Sequence, residues 1–155
     1  GSTRIKGNPY IELRELRFGP IEPEARSVVL SVPLIRVREE GRAKVTLPVP
    51  GDEPIMLNRV VKFGRFDLKL IKAELVDCQI RVYVDLGPDG DEVLESFRLE
   101  FKESGSMMSR AGEYTDRMIY FQTPVLPNQK RITLTLIDPV VAVTGPWELE
   151  LPVEK

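Results

Sequence analysis

The sequence predicts an all-β domain, an immunoglobulin-like antiparallel β-sandwich of about nine strands. Three observations predict it. Apolar and polar residues alternate in most segments of the chain, which is typical of half-buried strands. No window of helical length carries a convincing apolar stripe. Most of the 13 prolines stand at the ends of the alternating segments, where strands and turns tolerate them.

Each alternating segment places an apolar residue at every second position. Cys78 and Trp147 occupy such apolar positions, so we expect a buried thiol and a tryptophan that anchors the core. Tyr83 falls on the polar side of its segment. The segments are residues 11–13, 28–34, 45–49, 66–70, 78–86, 97–101, 132–136 and 147–153, with 118–123 as a shorter and less regular one.

Turn signals divide these segments. Gly87-Pro88-Asp89-Gly90 predicts a hairpin, because proline presets one backbone angle and glycine accepts a positive one. Residues 39–42 predict a second turn. The longest polar break, residues 102–117, predicts a loop, and loops of more than about 12 residues are commonly functional or mobile.

The length of 155 residues fits a single domain. We assign it to residues 3–155 and interpret Gly1-Ser2 as the remnant of an expression tag. No apolar run approaches the ~20 residues that span a bilayer. Membrane attachment would therefore come from a segment outside this sequence.

The composition argues against catalysis by the chain's own side chains. The sequence contains no histidine and a single cysteine, so Ser-His-Asp and Cys-His arrangements cannot form within it. No glycine-rich phosphate loop precedes a helix, and we expect no cofactor. Acidic and basic residues are interleaved and the net charge is -2. This pattern disfavours a nucleic-acid partner.

Four acidic residues around the Gly87–Gly90 turn are weak candidates for calcium ligands: Asp85, Asp89, Asp91 and Glu92. Calcium takes several oxygen ligands from a tight loop. The spacing is not that of an EF-hand, and further ligands would have to come from elsewhere. A solvated acidic turn is the alternative interpretation.

The long polar break offers the leading candidate for a partner-binding surface. Met107 and Met108 are adaptable apolar side chains, and Arg110 and Tyr114 follow them. Arg81 and Tyr83 form a second, smaller candidate. A mobile loop without a partner is the alternative.

The C-terminal half carries a family resemblance. Pro124-Val125-Leu126-Pro127 is followed by Arg131-Ile132-Thr133-Leu134-Thr135-Leu136 and then by residues 145–153, GPWELELPV. This arrangement resembles a family of uncharacterised extracytoplasmic domains of anti-sigma-factor-like membrane proteins in Gram-positive bacteria. The resemblance covers residues 60–153 and rests on core and turn positions, with no catalytic residues to transfer.

If the resemblance holds, the domain is a non-catalytic, extracytoplasmic module that senses or relays an envelope signal or binds an envelope component. Its parent would carry one membrane helix and a cytoplasmic segment that restrains a sigma factor. Two alternatives stay open: a carbohydrate- or cell-wall-binding module, and a structural spacer. The low aromatic content, 7%, disfavours the carbohydrate alternative.

Overall fold

The computed structural model describes residues 2–4, 12–14, 19–109 and 112–153, the first two ranges by their backbone alone. Within these residues the chain forms strands and no helix, so none is long and apolar enough to cross a membrane. The strands are β1 (Ser2–Arg4), β2 (Glu12–Arg14), β3 (Ser27–Arg38), β4 (Arg42–Pro48), β5 (Ile55–Phe63), β6 (Phe66–Val76), β7 (Gln79–Asp85), β8 (Glu92–Phe101), β9 (Ser106–Met108), β10 (Gly112–Thr115), β11 (Met118–Pro124) and β12 (Arg131–Pro152).

Two antiparallel five-stranded sheets form the sandwich. The first sheet has the order β10-β11-β7-β6-β5. The second has the order β3-β12-β8-β9, with β4 also paired to β12. β1 and β2 pair separately with each other. The predicted all-β antiparallel sandwich is therefore confirmed.

β12 is the central strand of the second sheet and changes neighbours along its length. Residues 131–137 pair with β4 on one side and partly with β8 on the other. Residues 140–143 lie between β3 and β8, and residues 147–152 pair with β3. β3 and β4 thus lie end to end along one side of β12. The predicted turn at residues 39–42 is wrong, because this stretch is a short break between two strands that run in the same direction.

The core lies between the two sheets and includes phenylalanines from both. Phe97 of β8 contacts Phe63 of β5 at a ring-centroid distance of 5.4 Å and Phe121 of β11 at 5.2 Å. Inward-facing residues of the other strands complete it, among them Leu68, Leu70, Ile80, Val82, Leu99, Ile132 and Leu134. The period-two alternation identified most of these positions.

Two apolar positions of the predicted strands are not in the core. Cys78 is exposed because it lies at the tip of the β6–β7 hairpin. The two loop residues, Asp77 and Cys78, have φ angles of 49° and 62°, the conformation that a two-residue hairpin requires. Trp147 is 39% exposed. It follows an irregularity between Thr144 and Trp147, beyond which the described chain pairs β12 with β3 alone. The expectations of a buried thiol and a core tryptophan are therefore wrong.

The predicted loops also differ from the structure. Residues 87–90 form a connection between β7 of the first sheet and β8 of the second, so they do not close a hairpin. The polar break at 102–117 contains β9, which pairs with β8, and β10, which pairs with β11. The break is therefore a crossover between the two sheets with a short strand on each side.

Candidate functional site

The outer face of the first sheet carries a group of aromatic and charged side chains on the side opposite the core. Strand register places Lys72, Tyr83 and Tyr120 in one row across β6, β7 and β11. Glu74 and Arg81 form the next row. We call this group the tyrosine face and define it by Lys72, Glu74, Arg81, Tyr83, Tyr114 and Tyr120.

A bulge in β6 gives the face two of its charged side chains, Lys72 and Glu74. Leu70 pairs with Val84 and Lys72 pairs with Tyr83, so Ile71 is an extra residue in the strand. An extra residue reverses the side to which the following residues point. Lys72 therefore faces outward, while Ala73 enters the core.

Tyr83 is the buried centre of the tyrosine face. Its side chain is only 3% exposed, and its hydroxyl donates a hydrogen bond of 2.5 Å to Oε1 of Glu74. That hydrogen bond is the main reason that the pKa of Glu74 lies below its ordinary value. Partial burial opposes this lowering, whereas the charge of Lys72 lowers the pKa of Glu74 further. Burial, and then Glu74, raise the pKa of the Tyr83 hydroxyl. Glu74 is therefore charged and Tyr83 neutral at pH 7.

Two cations lie over the tyrosine rings. The Lys72 ammonium is 4.6 Å from the Tyr83 ring centroid and 3.4 Å from Oε2 of Glu74. The Arg81 guanidinium is 4.8 Å from the Tyr120 centroid. Cation–π contacts of this kind are worth about 0.5–2 kcal/mol each, depending on desolvation. Nε of Arg81 is buried without a hydrogen-bond partner among the described residues.

Tyr114 is the ring that the tyrosine face presents to solvent. It is 59% exposed, and it meets the Tyr83 ring edge-on at 5.3 Å with an interplanar angle of 84°. The Tyr120 side chain of β11 lies over Gly112 of β10. A Cβ on Gly112 would come within 2.5 Å of the Tyr120 hydroxyl oxygen. The glycine therefore makes room for Tyr120 and keeps it beside Tyr83, at a centroid distance of 5.6 Å.

The face is suited to binding by stacking and hydrogen bonding. It offers one exposed ring held by a buried one, and two cations against one carboxylate. Rigid aromatic side chains lose little conformational freedom when a partner covers them. Hydrogen-bonding groups beside an exposed ring then select the orientation of the partner.

The structure separates the residues that were predicted to form a partner surface. Arg81, Tyr83 and Tyr114 lie together on the tyrosine face, although Tyr83 is buried and does not supply the exposed contact that was expected of it. Met107 and Met108 lie on β9 of the other sheet. Met107 is 52% exposed, whereas Met108 packs against the core. Arg110 lies outside the described residues.

The acidic turn does not assemble the calcium candidates. Oδ1 of Asp85 accepts a hydrogen bond from Gly87 N, and Glu92 pairs with Arg65. Asp89 accepts from the neighbouring Gly90 N. Asp91 is exposed, and the described residues contain no group of three or more potential ligands. Three of the four residues that the weak calcium hypothesis brought together thus have separate partners, and the fourth, Asp91, is exposed.

A shallow concavity of about 490 Å³ is lined by Glu103, between β8 and β9, and by residues 126–131, between β11 and the start of β12. Both oxygens of Glu103 accept hydrogen bonds from Thr133, from its Oγ1 at 2.7 Å and its N at 2.9 Å. Burial alone would raise the pKa of Glu103, but these hydrogen bonds and the charge of Arg131 lower it. Glu103 therefore fastens the β8–β9 turn to β12, and its carboxylate is not available as a proton donor.

Lys72, Glu74 and Tyr120 were missed by sequence reasoning. Tyr120 carried a usable signal, because it stands between Ile119 and Phe121 on the polar side of β11, as Tyr83 does on β7. For Lys72 and Glu74 the only sequence signal was the adjacent apolar pair Leu70-Ile71, which marks the bulge.

Comparison with known proteins adds no relative. No family model, curated protein or solved structure matches the chain.

Proposed function

We propose that this immunoglobulin-like chain is a non-catalytic interaction domain that binds its partner through the tyrosine face. The observation that carries the proposal is the gathering of Tyr83, Tyr114 and Tyr120 with two cations on one sheet face. Its contacts stabilise the sheet, but they leave the Tyr114 ring 59% exposed. Aromatic residues and arginine are enriched in binding surfaces, where they supply most of the affinity.

The tyrosine face has the features of a preorganised site. Tyr114 is exposed but fixed in orientation by the buried Tyr83, which in turn is fixed by Glu74. A partner that covers Tyr114 gains apolar contact without ordering a mobile side chain, which is a major cost of association. Burial of the ring would also strengthen its attraction to Lys72, 5.6 Å from its centroid.

The biological setting of the proposal follows the family resemblance of residues 60–153. In that setting the chain is the outward-facing, sensory or interaction module of a membrane-anchored anti-sigma-factor-like regulator. Its partner is a protein or another envelope component, and membrane attachment lies outside this sequence. Binding at the tyrosine face would alter how the parent restrains its sigma factor.

A carbohydrate or cell-wall ligand is the second candidate, and Tyr114 favours it. Sugar rings stack on exposed aromatic rings and take hydrogen bonds from neighbouring polar side chains. Lys72 and Glu74 lie close enough to the tyrosine rings to supply such bonds. The low aromatic content weighs less against this candidate than expected, because three of the four tyrosines share one surface.

The test compares Tyr114→Ala with Met107→Ala, an exposed large side chain on the other sheet. Each is placed in the full-length parent, and sigma-dependent transcription is measured with and without envelope stress. We expect Tyr114→Ala to change the response and Met107→Ala to leave it unchanged, with both domains melting within a few degrees of the wild type. Binding of the purified domain to peptidoglycan and to soluble oligosaccharides is measured in parallel.

The outcomes separate the readings. Loss of sugar or peptidoglycan binding in Tyr114→Ala favours the carbohydrate candidate, and loss of the transcriptional response alone favours a protein partner. If Tyr114→Ala changes neither the transcriptional response nor the binding to peptidoglycan and oligosaccharides, the assignment of the tyrosine face is refuted. If deletion of the whole domain leaves signalling unchanged, the sensory role is wrong and a structural spacer is preferred.

A further inference from the structure

The fold gathers three cations along one edge of the second sheet. β3 and β4 lie end to end beside β12, and within the described chain no strand pairs with their other side. Arg38 on β3 and Arg42 and Lys44 on β4 are all exposed. We call these three residues the basic row.

The basic row lies on the outer face of the sheet. Val45 is buried in the core, and because side chains alternate along a strand, Lys44 and Arg42 point away from it. On β3, Arg38 pairs with Val140, whose successor on β12 is buried, so Arg38 also points outward. The three cations therefore follow one line, roughly 15 Å long at the rise of a β-strand.

Other cations hold the acidic residues that accompany the basic row in sequence or in space. Glu39 accepts a hydrogen bond of 2.9 Å from Nε of Arg65, and Glu95 is 2.8 Å from Nε of Arg36. The cations of the basic row, in contrast, form no ion pair with any described residue. Glu40 is exposed in the break between β3 and β4 and offsets only one of the three positive charges.

We propose that the basic row binds a linear polyanion, a phosphodiester polymer of a short polyol, which lies along the edge formed by β3 and β4. Alternate residues of a strand are about 6.6–6.8 Å apart, a distance spanned by six backbone bonds. A phosphodiester chain built on a three-carbon polyol has the same number of bonds between successive phosphates. Its charges therefore repeat at the spacing of Arg42 and Lys44, and the guanidinium fork of arginine matches the oxygens of a phosphate.

The surroundings of the basic row favour this polymer over a membrane or a nucleic acid. Its pairing partners on β12, Thr135, Ile137 and Val140, are uncharged, and on β8 Arg98 is offset by Glu100. The positive excess is thus a line along an edge, whereas a membrane surface attracts cations that are spread over a face. None of these pairing partners carries an aromatic ring on which a base could stack. The basic row therefore offers contacts to phosphates alone.

The salt dependence of binding sets the size of the expected effect. Each phosphate that a cation neutralises on a single-stranded polyanion adds about 0.7 to the slope of log affinity against log salt. Three contacts give a slope of about 2, so affinity should fall roughly a hundredfold between about 20 mM and about 200 mM salt. This binding is independent of the tyrosine face, which lies on the other sheet.

The test titrates the purified chain with poly(glycerol phosphate) at a series of salt concentrations and follows backbone amide shifts by NMR. We expect the shifts to concentrate on β3 and β4. Arg42→Gln/Lys44→Gln removes two of the three contacts, so it should lower the slope to about 0.7 and weaken binding about tenfold or more at 20 mM salt. Arg38→Gln removes the third contact from a different strand and should lower the slope by about 0.7.

Lys62→Gln/Lys69→Gln is the matched control. It removes the same charge from exposed positions of β5 and β6 on the outer face of the first sheet. Its affinity for the polymer should stay within about twofold of the wild type, because it keeps all three phosphate contacts. Circular dichroism verifies that every variant keeps the sandwich.

Four results would overturn the proposal. The first is a wild-type chain that does not bind poly(glycerol phosphate) at about 20 mM salt, where phosphate contacts are strongest. The second is a control variant that loses as much affinity as Arg42→Gln/Lys44→Gln, which would show that net charge alone acts. The third is tighter binding to single-stranded DNA with the same number of phosphates, which would identify a nucleic acid as the partner. The fourth is binding to vesicles of anionic lipid without binding to the polymer, which would identify a membrane surface.

Discussion

Removing the Tyr83 hydroxyl tests the centre of the tyrosine face. Tyr83→Phe keeps the ring, and with it the edge-on contact to Tyr114 and the position under Lys72. It deletes the hydrogen bond of 2.5 Å to Glu74 together with the hydroxyl's smaller interaction with the Arg81 side chain. Because the acceptor is a charged carboxylate, the bond is worth about 1.5–3 kcal/mol. Glu74 keeps Lys72 as a partner at 3.4 Å, so the variant should still fold.

The pH dependence of this loss follows from the two pKa shifts. Glu74 has a lowered pKa in the folded protein, so its contribution to stability is present above its unfolded pKa of about 4.3 and disappears as pH falls through the folded value. Tyr83 has a raised pKa, so its contribution is complete below about pH 10 and disappears as pH rises through the folded value. The free energy of unfolding of the wild type should therefore exceed that of Tyr83→Phe most near neutral pH. The excess should shrink at both acid and alkaline pH.

Urea denaturation at a series of pH values measures the effect, and Tyr114→Phe is the matched control. The exposed Tyr114 should tolerate the same change within about 0.5 kcal/mol. At pH 7 we expect Tyr83→Phe to lower the melting temperature by roughly 3–12 °C for a chain of this length. The role assigned to the hydroxyl would be refuted if Tyr83→Phe lowered the free energy of unfolding by less than about 0.5 kcal/mol at pH 7. It would also be refuted if the decrease were the same at pH 3 as at pH 7.

Two further predictions concern residues outside the tyrosine face. Glu103→Ala should lower the free energy of unfolding by about 2–4 kcal/mol, because it leaves the Oγ1 and N of the buried Thr133 without their acceptor; chemical denaturation measures this, and a loss below about 1 kcal/mol would contradict it. Cys78→Gly should raise the free energy of unfolding by about 0.5–1 kcal/mol, because glycine adopts the left-handed conformation of the β6–β7 turn without strain; a neutral or destabilising effect in the same assay would show that the turn is not strained.

The alternation of apolar residues was sufficient to predict the sandwich and most of its core. Segments such as 97–101 and 132–136 alternate without interruption. The first contributes Phe97 and Leu99 to the space between the sheets, and the second contributes Leu134. Strand pairing was not predictable in the same way. Residues 39–42 have the composition of a turn, but they join two strands that lie end to end beside β12, and only the long-range pairing of β12 shows this.

The tyrosine face was predicted in part. Tyr83 and Arg81 were selected because they fall on the polar side of an alternating strand, and that position is what brings them to the outer face. Their neighbours depend on the bulge at Ile71 and on the register of β6, β7 and β11. Both are properties of pairs of strands, so no single segment of sequence specifies them.

Trp147 shows what an alternating pattern leaves undetermined. Residues 147–153 alternate as regularly as residues 97–101, yet Phe97 is buried and Trp147 is exposed. The pattern predicts that a strand has one apolar face, and it does so correctly in both cases. Burial depends on whether a second layer covers that face. β5 and β11 lie opposite Phe97, whereas residues 147–152 of β12 pair with β3 alone, past the point where β12 leaves β8. The exposure of Trp147 therefore follows from the pairing and layering of the strands and not from the alternation of its own segment.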